Sequence, residues 1–189
     1  MAKIQMGPRA YVFPMPVFLV GANVGDAPNF LPIAWGGIAN SEPPMISLAV
    51  RPARYTMKGI MQHRTFSVNI PSADMVTEVD FCGIESGARV DKVKACGFKV
   101  FYGKLENAPL IEQCPVNLEC TLEHSIELGS HTLLIGRVEE THISEDCLTD
   151  GRPDTAKMNP LIYTTAVSNY QVFGEVVAKA FSVGRNLKT

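Results

Sequence analysis

The clearest periodic pattern in the chain runs from Val116 to Ile143. Val116, Leu118, Cys120, Leu122, Ile126 and Leu128 alternate with Asn117, Glu119, Thr121, Glu123, Ser125 and Glu127. A period of two sets one face against a core and turns the other to solvent, which predicts a long half-buried strand. Gly129-Ser130 offers a turn, and His131–Ile143 reads as the returning strand. So long a hairpin suits a barrel or a strongly curled antiparallel sheet. Shorter apolar runs predict further strands at Val17–Ala22, Met45–Val50, Phe66–Ile70 and Tyr170–Val177. Two helices fit between them. One follows Pro52, whose ring suits a first helical position, and runs through Ala53–His63. The other starts after Ser72, an N-cap candidate, with Asp74 in its first turn. Met75, Val76, Val79 and Cys82 lie on one face, and Gly83 is the expected stop. Strands and helices do not alternate regularly, which argues against a doubly wound parallel sheet and for a mainly β barrel with a few helices.

Composition narrows the class of protein. The 189 residues fit one domain, spanning 1–189, and are 46% hydrophobic and 19% charged, as in an ordinary globule. A net charge of −2 gives no electrostatic support to a nucleic-acid or acidic-membrane partner. The longest apolar stretches, such as Val17–Ala22 and Ile46–Val50, are far below the roughly 20 residues of a spanning helix. Pro8, Arg9, Pro14 and Pro16 interrupt the basic-then-apolar order of a signal peptide, so the expected location is cytoplasmic. Cys82, Cys96, Cys114, Cys120 and Cys147 form no CxxC pair and no zinc-spaced cluster, and read as buried free thiols.

Candidate chemistry is dispersed. The chain has no GxGxxG turn, GxxxxGK[ST] loop, GxSxG elbow or HExxH motif. Arg51-Pro-Ala-Arg-Tyr-Thr56 is more informative, because it puts two arginines and a hydroxyl at a helix start that follows a strand. Cations at the positive end of a helix are unfavourable unless an anion is bound. Free backbone N–H groups, Arg51 or Arg54, and Thr56 would together suit a phosphate. The same residues would also make an ordinary solvated helix start. Trp35, the lone tryptophan, precedes Gly36-Gly37, where a planar ligand could approach the backbone, although a lone tryptophan more often packs in a core. Ser86–Lys92 reads as a polar basic loop. His124 falls on the apolar face of its strand, where a hydrogen-bonded core histidine is expected. His131 lies just past the turn, and His63 ends a helix, where an imidazolium would complement the dipole.

Taken in order, YVFPMPVFLVG (Tyr11–Gly21), PNFLPIAWGGIANSEPP, ISLAVRPARYT, FSVNIPS, IESGARVDK, LECTLEH, the long hairpin and YQVFGEVVAKAFSVG resemble the flavin-reductase-like family, flavoredoxins of anaerobic bacteria in particular. The resemblance spans nearly the whole chain. It implies an FMN-binding split β-barrel of Greek-key type, forming a homodimer with one FMN per subunit near the interface. By position, Asn29 and Trp35 resemble isoalloxazine-side contacts, with the backbone of Ala34, Trp35 and Gly36 passing along the ring. Ser41 is a polar contact, and Arg51, Tyr55 and Thr56 resemble the ribityl and phosphate end. Lys92 resembles the phosphate-binding lysine of an Asp-Lys pair, and His131 and Tyr163 lie near the ring. Where many relatives have Phe after that pair, this chain has Val93.

The function so implied is an FMN-bound electron carrier that exchanges electrons with a redox partner protein, FMN supplying the redox chemistry. An NAD(P)H-dependent flavin reductase is the enzymatic alternative. A flavin-binding sensor or storage module without turnover is a third reading, and a barrel that has lost its cofactor a fourth, against which Thr56, Lys92 and Trp35 speak. No residue is expected to act as a nucleophile.

Overall fold

The computed structural model describes residues 1–187. Its centre is an antiparallel sheet built from β1 (Phe18–Val24), β2 (Ala27–Ile33), β3 (Gly36–Ser41), β4 (Pro44–Val50), β5 (Thr65–Ile70), β6 (Val116–Glu127) and β7 (Thr132–Ile143). The seven strands lie in the order β2-β1-β5-β6-β7-β4-β3, and no hydrogen-bonded ladder joins the edge strands β2 and β3 among the described residues. Helices α1 (Tyr55–His63), α2 (Val76–Ile84) and α3 (Lys92–Cys96) complete the main body. The fold is mainly β with a few helices, as the pattern predicts. Met15–Pro16, Ile162–Thr164 and Asn169–Gln171 form a separate three-stranded ribbon. No helix among the described residues is long and apolar enough to cross a membrane.

Strand β1 is buried on both faces because alternate residues serve two cores. Phe18, Val20 and Ala22 join Leu48, Val50, Ile60, Phe66, Cys120 and Leu134 in the larger one. Leu19 turns to the other side, where it meets Phe30, Val79, Cys82, Phe98 and Ile111. Helix α1 packs against β1 at Gly59, where a Cβ would lie 2.0 Å from the Asn23 carbonyl oxygen. Only glycine permits that approach, so Gly59 sets how closely the helix lies on the strand.

Several boundaries differ from the pattern's prediction. Pro52 is not the first helical residue. Arg51 to Arg54 make a turn closed by the Arg54 N–H on the Arg51 carbonyl (3.0 Å), and α1 starts at Tyr55. Ser72 has extended backbone but makes no side-chain cap bond, and it precedes a 3₁₀ turn, Ala73–Met75, rather than α2 itself. Gly83 lies inside α2, which ends one residue later. The strand expected over Tyr170–Val177 is limited to Asn169–Gln171, and Val172, Phe173, Val176 and Val177 are exposed. An apolar alternating segment becomes a strand only where another strand offers hydrogen bonds, and beyond Gln171 no strand among the described residues pairs with it. His124 is exposed rather than in a core, because the outer half of the hairpin runs past the packed helices.

The largest difference concerns the polar face of β6. Asn117 and Glu119 are buried, Glu119 completely. The segment from Tyr102 to Ile111, a loop ending in the short strand Leu110–Ile111, covers them, and buried polar side chains hold it down. Asn117 Nδ2 donates to the Ile111 carbonyl (2.9 Å) and to Asn69 Oδ1 (2.8 Å), which also accepts the Ile111 N–H (3.0 Å). Ser67 donates to the Pro109 carbonyl. Glu119 accepts the Leu105 N–H at Oε2 (2.7 Å), while His142 Nε2 lies 2.8 Å from Oε1. An alternating strand thus hides its polar face because a loop supplies the missing partners. The outer residues Glu123 and Arg137 pair at the surface (3.1 Å).

This arrangement predicts a contrast between two glutamates on one strand. Glu119→Ala strands the Leu105 N–H and leaves a void, and should lower stability by about 2–3 kcal/mol. Glu123→Ala removes a surface pair, whose contribution is typically about 0–1 kcal/mol. Urea unfolding of the two variants, with no ligand added, measures the difference.

Candidate functional site

Register brings one group of candidates together. Thr132 pairs with Val50, Leu133 with Ala49, and Gly36 with Leu48. The end of β4, the start of β7 and the connection before β3 therefore meet at one rim of the sheet. Ala49 N–H donates to the Trp35 carbonyl (2.7 Å), fixing that connection to β4. Here Ala34, Trp35, Arg51, Arg54, His131 and Tyr163 line a cleft of about 290 Å³. The Trp35 and His131 rings lie 4.7 Å apart at an interplanar angle of 32°, and Trp35 is 42% exposed. A half-stacked pair with an open face is a wall for a planar ligand. Burial, then the nearby Arg51 charge, holds the His131 imidazolium below its ordinary range, so the ring is mainly neutral at neutral pH. Nδ1 lies 2.9 Å from Ser130 Oγ, which leaves Nε2 as the nitrogen for another partner.

A second cleft, also about 290 Å³, adjoins the first through Arg54. Its lining includes Arg54, Tyr55, Thr56, Ser86, Arg89 and Lys92. The start of α1 supplies one wall. Arg54 is the N-cap and makes no side-chain cap bond, and the first turn holds no acidic residue. Starting the helix at Tyr55 rather than Ala53 puts Thr56 in the first turn, where backbone N–H groups lack intrahelical partners. Thr56 is buried, and its Oγ1 accepts from Asn29 Nδ2 at 2.6 Å. Its own hydroxyl hydrogen is thereby left to donate elsewhere. Gly87 is required beside this pair, since a Cβ there would lie 1.8 Å from Asn29 Oδ1.

Lys92 comes from a different element and is turned inward. Asp91 caps α3 by accepting the Lys94 N–H (3.0 Å), and Lys92 is 3% exposed. Its ammonium donates to the carbonyls of Cys82 (2.7 Å) and Phe30 (2.8 Å). Three donors minus two leave one for the cleft. Burial, with Arg54 also contributing, pushes the Lys92 pKa down. Val93 packs against the smaller core.

The clefts thus gather Ala34, Trp35, Arg51, His131 and Tyr163 at one end and Tyr55, Thr56 and Lys92 at the other, with Asn29 behind Thr56. Gly36 and Ser41 do not line either cleft. A Cβ on Gly36 would lie 2.7 Å from the Ser47 carbonyl oxygen, so its small size serves packing on β4. Ser41 is exposed at the far end of β3, paired with Pro44. Arg89 and Ser86 enter the site from a loop that the sequence identifies only as polar and basic. The glycine and the two cations in that loop are the signal. Neither cleft has a carboxylate in its lining, while Arg51, Arg54, Arg89 and Lys92 supply four cations. Such a field suits a dianion at the second cleft.

The family model for the flavin reductase like domain matches residues 9–171. Flavoredoxin from Methanosarcina acetivorans is 36% identical, with a TM-score of 0.94 over 99% of this chain and 100% of that one. Flavoredoxin of Desulfovibrio vulgaris (Miyazaki F) is 38% identical, with a TM-score of 0.92 over 97% of this chain and 100% of that one. An FMN-binding protein from Thermus thermophilus is 26% identical, with a TM-score of 0.80 over 95% and 99% of the two chains.

Because Lys92 satisfies two buried carbonyls, it should contribute to folding before any ligand binds. Lys92→Met removes both bonds and should cost about 3–6 kcal/mol in ligand-free denaturation, as hydrogen bonds to charged groups contribute roughly 1.5–3 kcal/mol each. Arg89→Ala, at an exposed side chain, should change stability by less than about 0.5 kcal/mol.

Proposed function

The chain belongs to the flavin reductase-like domain family, and we propose that it binds FMN without a covalent link and carries electrons through it. One observation supports this reading most. An aromatic cleft and a cationic cleft are joined at Arg54, with spacing set by α1, and this matches a molecule with a planar ring at one end and a phosphate at the other. The protein is a flavin-type redox protein by family. FMN as the flavin, a Greek-key split barrel, a homodimeric assembly and a cytoplasmic location are parts of the proposal.

In this reading Thr56, Arg54, Ser86, Arg89 and the remaining Lys92 N–H hold the phosphate, together with the free N–H groups at the start of α1. Trp35 and the Ala34 backbone flank the ring and exclude water from one face. Neutral His131 holds a hydrogen-bonding nitrogen toward the ring cleft. Bound FMN would supply the capacity to take up two electrons and release them singly. Identity to two flavoredoxins over essentially whole chains favours a carrier that meets a redox partner protein. The family's description as flavin reductases supports the second reading, in which NAD(P)H reduces the flavin. Anaerobic mixing of the FMN-loaded protein with NADH and NADPH separates them. Rapid bleaching of the flavin absorbance marks a reductase, and an unchanged spectrum a carrier.

Exposed apolar arms support the homodimer. Ile4, Met6, Tyr11, Val12 and Phe13 precede the main body, and Val176, Val177 and Phe181 follow it, with Val177 and Phe181 98% and 97% exposed. Beside the ribbon lies an apolar groove of about 440 Å³ lined by Met15, Val17, Ile143, Met158 and Ile162. Single chains rarely leave this much apolar surface in water. Light scattering should therefore give twice the chain mass, and a monomer that retains FMN would refute the dimer.

Riboflavin shares the ring and ribityl chain of FMN but lacks the phosphate. Fluorescence titration should show a clear preference for FMN. Arg89→Ala, in the second cleft alone, should weaken FMN about tenfold, as expected when one charge-assisted bond of about 1.4 kcal/mol is lost. It should leave riboflavin nearly unchanged. Equal losses for both ligands would remove the phosphate from this cleft.

A further inference from the structure

Behind the cationic cleft two thiols face one another. Cys82 Sγ, in α2, lies 3.9 Å from Cys96 Sγ, the last residue of α3. Cys82 is completely buried, whereas Cys96 is only partly so. Cys96 Sγ also lies 3.9 Å from the Glu78 carbonyl one turn before Cys82. The pair is separated by 13 residues, among them the whole loop that carries Ser86, Arg89 and Lys92. Cys114 is buried in the same smaller core but turns its Sγ to Met75 Sδ (3.8 Å), and Cys120 and Cys147 are buried elsewhere. Sequence spacing gave no hint of a pair, since C-x₁₃-C is no motif; the packing of α2 against α3 makes it.

We propose that Cys82 and Cys96 are a reversible dithiol–disulfide couple that clamps the loop holding Lys92, with small disulfides as the oxidant. The geometry assigns the order. Cys96, the accessible partner, attacks as thiolate on one sulfur of a small disulfide; that S–S bond breaks, one small thiol leaves and takes up a proton, and a mixed disulfide forms on Cys96. Cys82 then attacks the Cys96 sulfur as thiolate and expels the second small thiol. The protein loses two electrons and two protons, and the small disulfide gains both to become two thiols. Burial pushes the Cys82 thiol up to about 12 and raises Cys96 as well, with Glu78 adding to both shifts and Lys92 opposing them. The pair therefore rests as thiols, and its exchange is slow rather than spontaneous.

The couple is tied to the site through the backbone. Lys92 donates to the carbonyl of Cys82 itself, and Cys96 lies four residues beyond Lys92 in α3. A bond between the two sulfurs closes a covalent ring through Lys92 and fixes its ammonium relative to α2. Preorganising a ligand-holding group lowers the cost of binding, so the oxidised form should hold FMN more tightly. That last consequence rests on the flavin reading; the disulfide does not.

The test treats folded, full-length protein with oxidised glutathione, then blocks remaining thiols in denaturant and maps the peptides. A Cys82–Cys96 linked peptide is expected, with Cys114, Cys120 and Cys147 recovered as alkylated thiols. Cys96→Ser should abolish the link. A glutathione adduct that persists on Cys96, or no reaction in the folded protein, overturns the couple. FMN titration of the oxidised and reduced forms should give at least a threefold tighter constant for the oxidised one, and no such difference in Cys96→Ser. Equal constants overturn the clamp. Reduced protein that takes up no FMN counts against the flavin reading, and the peptide map still decides the couple.

Discussion

The seating of α1 on β1 is the constraint on which the site depends. Gly59 lets the helix backbone approach the Asn23 carbonyl, and Met57 and Ile60 fill the core beneath. That contact fixes where the helix begins in space as well as where it packs. Its uncapped N-terminus then opens toward β2 and the Ser86–Lys92 loop. Asn29 reaches across from β2 to Thr56, so the buried polar pair and the helix start are held as one unit. A bulkier residue at position 59 would lift the helix and pull both clefts apart without touching a residue that lines either.

Polar groups inside this protein are used to attach irregular chain to regular chain. Ser67, Asn69, Asn117 and Glu119 secure the Tyr102–Ile111 loop, and Lys92 secures α3 to β2 and α2. Each such group would be costly if left unpaired, so the loop and helix positions are specified and not merely tolerated. The smaller core, through Phe30, Cys82, Phe98 and Ile111, supplies the apolar surface under these attachments. Lys92 belongs to both systems. Its position in the site follows from two carbonyls that have nothing to do with a ligand.

Much of the fold could be read in the sequence. The alternating run in β6 and β7, the apolar runs of β1, β4 and β5, and the body of α1 all carry local signals that survive folding. The RPARYT segment also marks an anion-suited helix start, because cations and an absent acidic cap are local facts. Lys92 becomes a site candidate only through family resemblance. Trp35 beside two glycines and His131 just past a turn carry local signals, but ones that ordinary core and surface positions share.

What the sequence by itself determined was therefore the class of sheet, the body of α1 and the family. Tertiary structure decided the rest. The polar face of β6 is buried because a loop distant in sequence supplies partners for Asn117 and Glu119, which no period of two can encode. The Tyr170–Val177 segment fails to become a full strand because strand formation needs a neighbour with open hydrogen bonds. Arg89 joins Arg54 and Thr56, and Cys82 meets Cys96, only when α2, α3 and α1 pack on the same sheet. Local pattern fixes which way a side chain points from its own backbone; which group it meets is set by the other segments that fold against it.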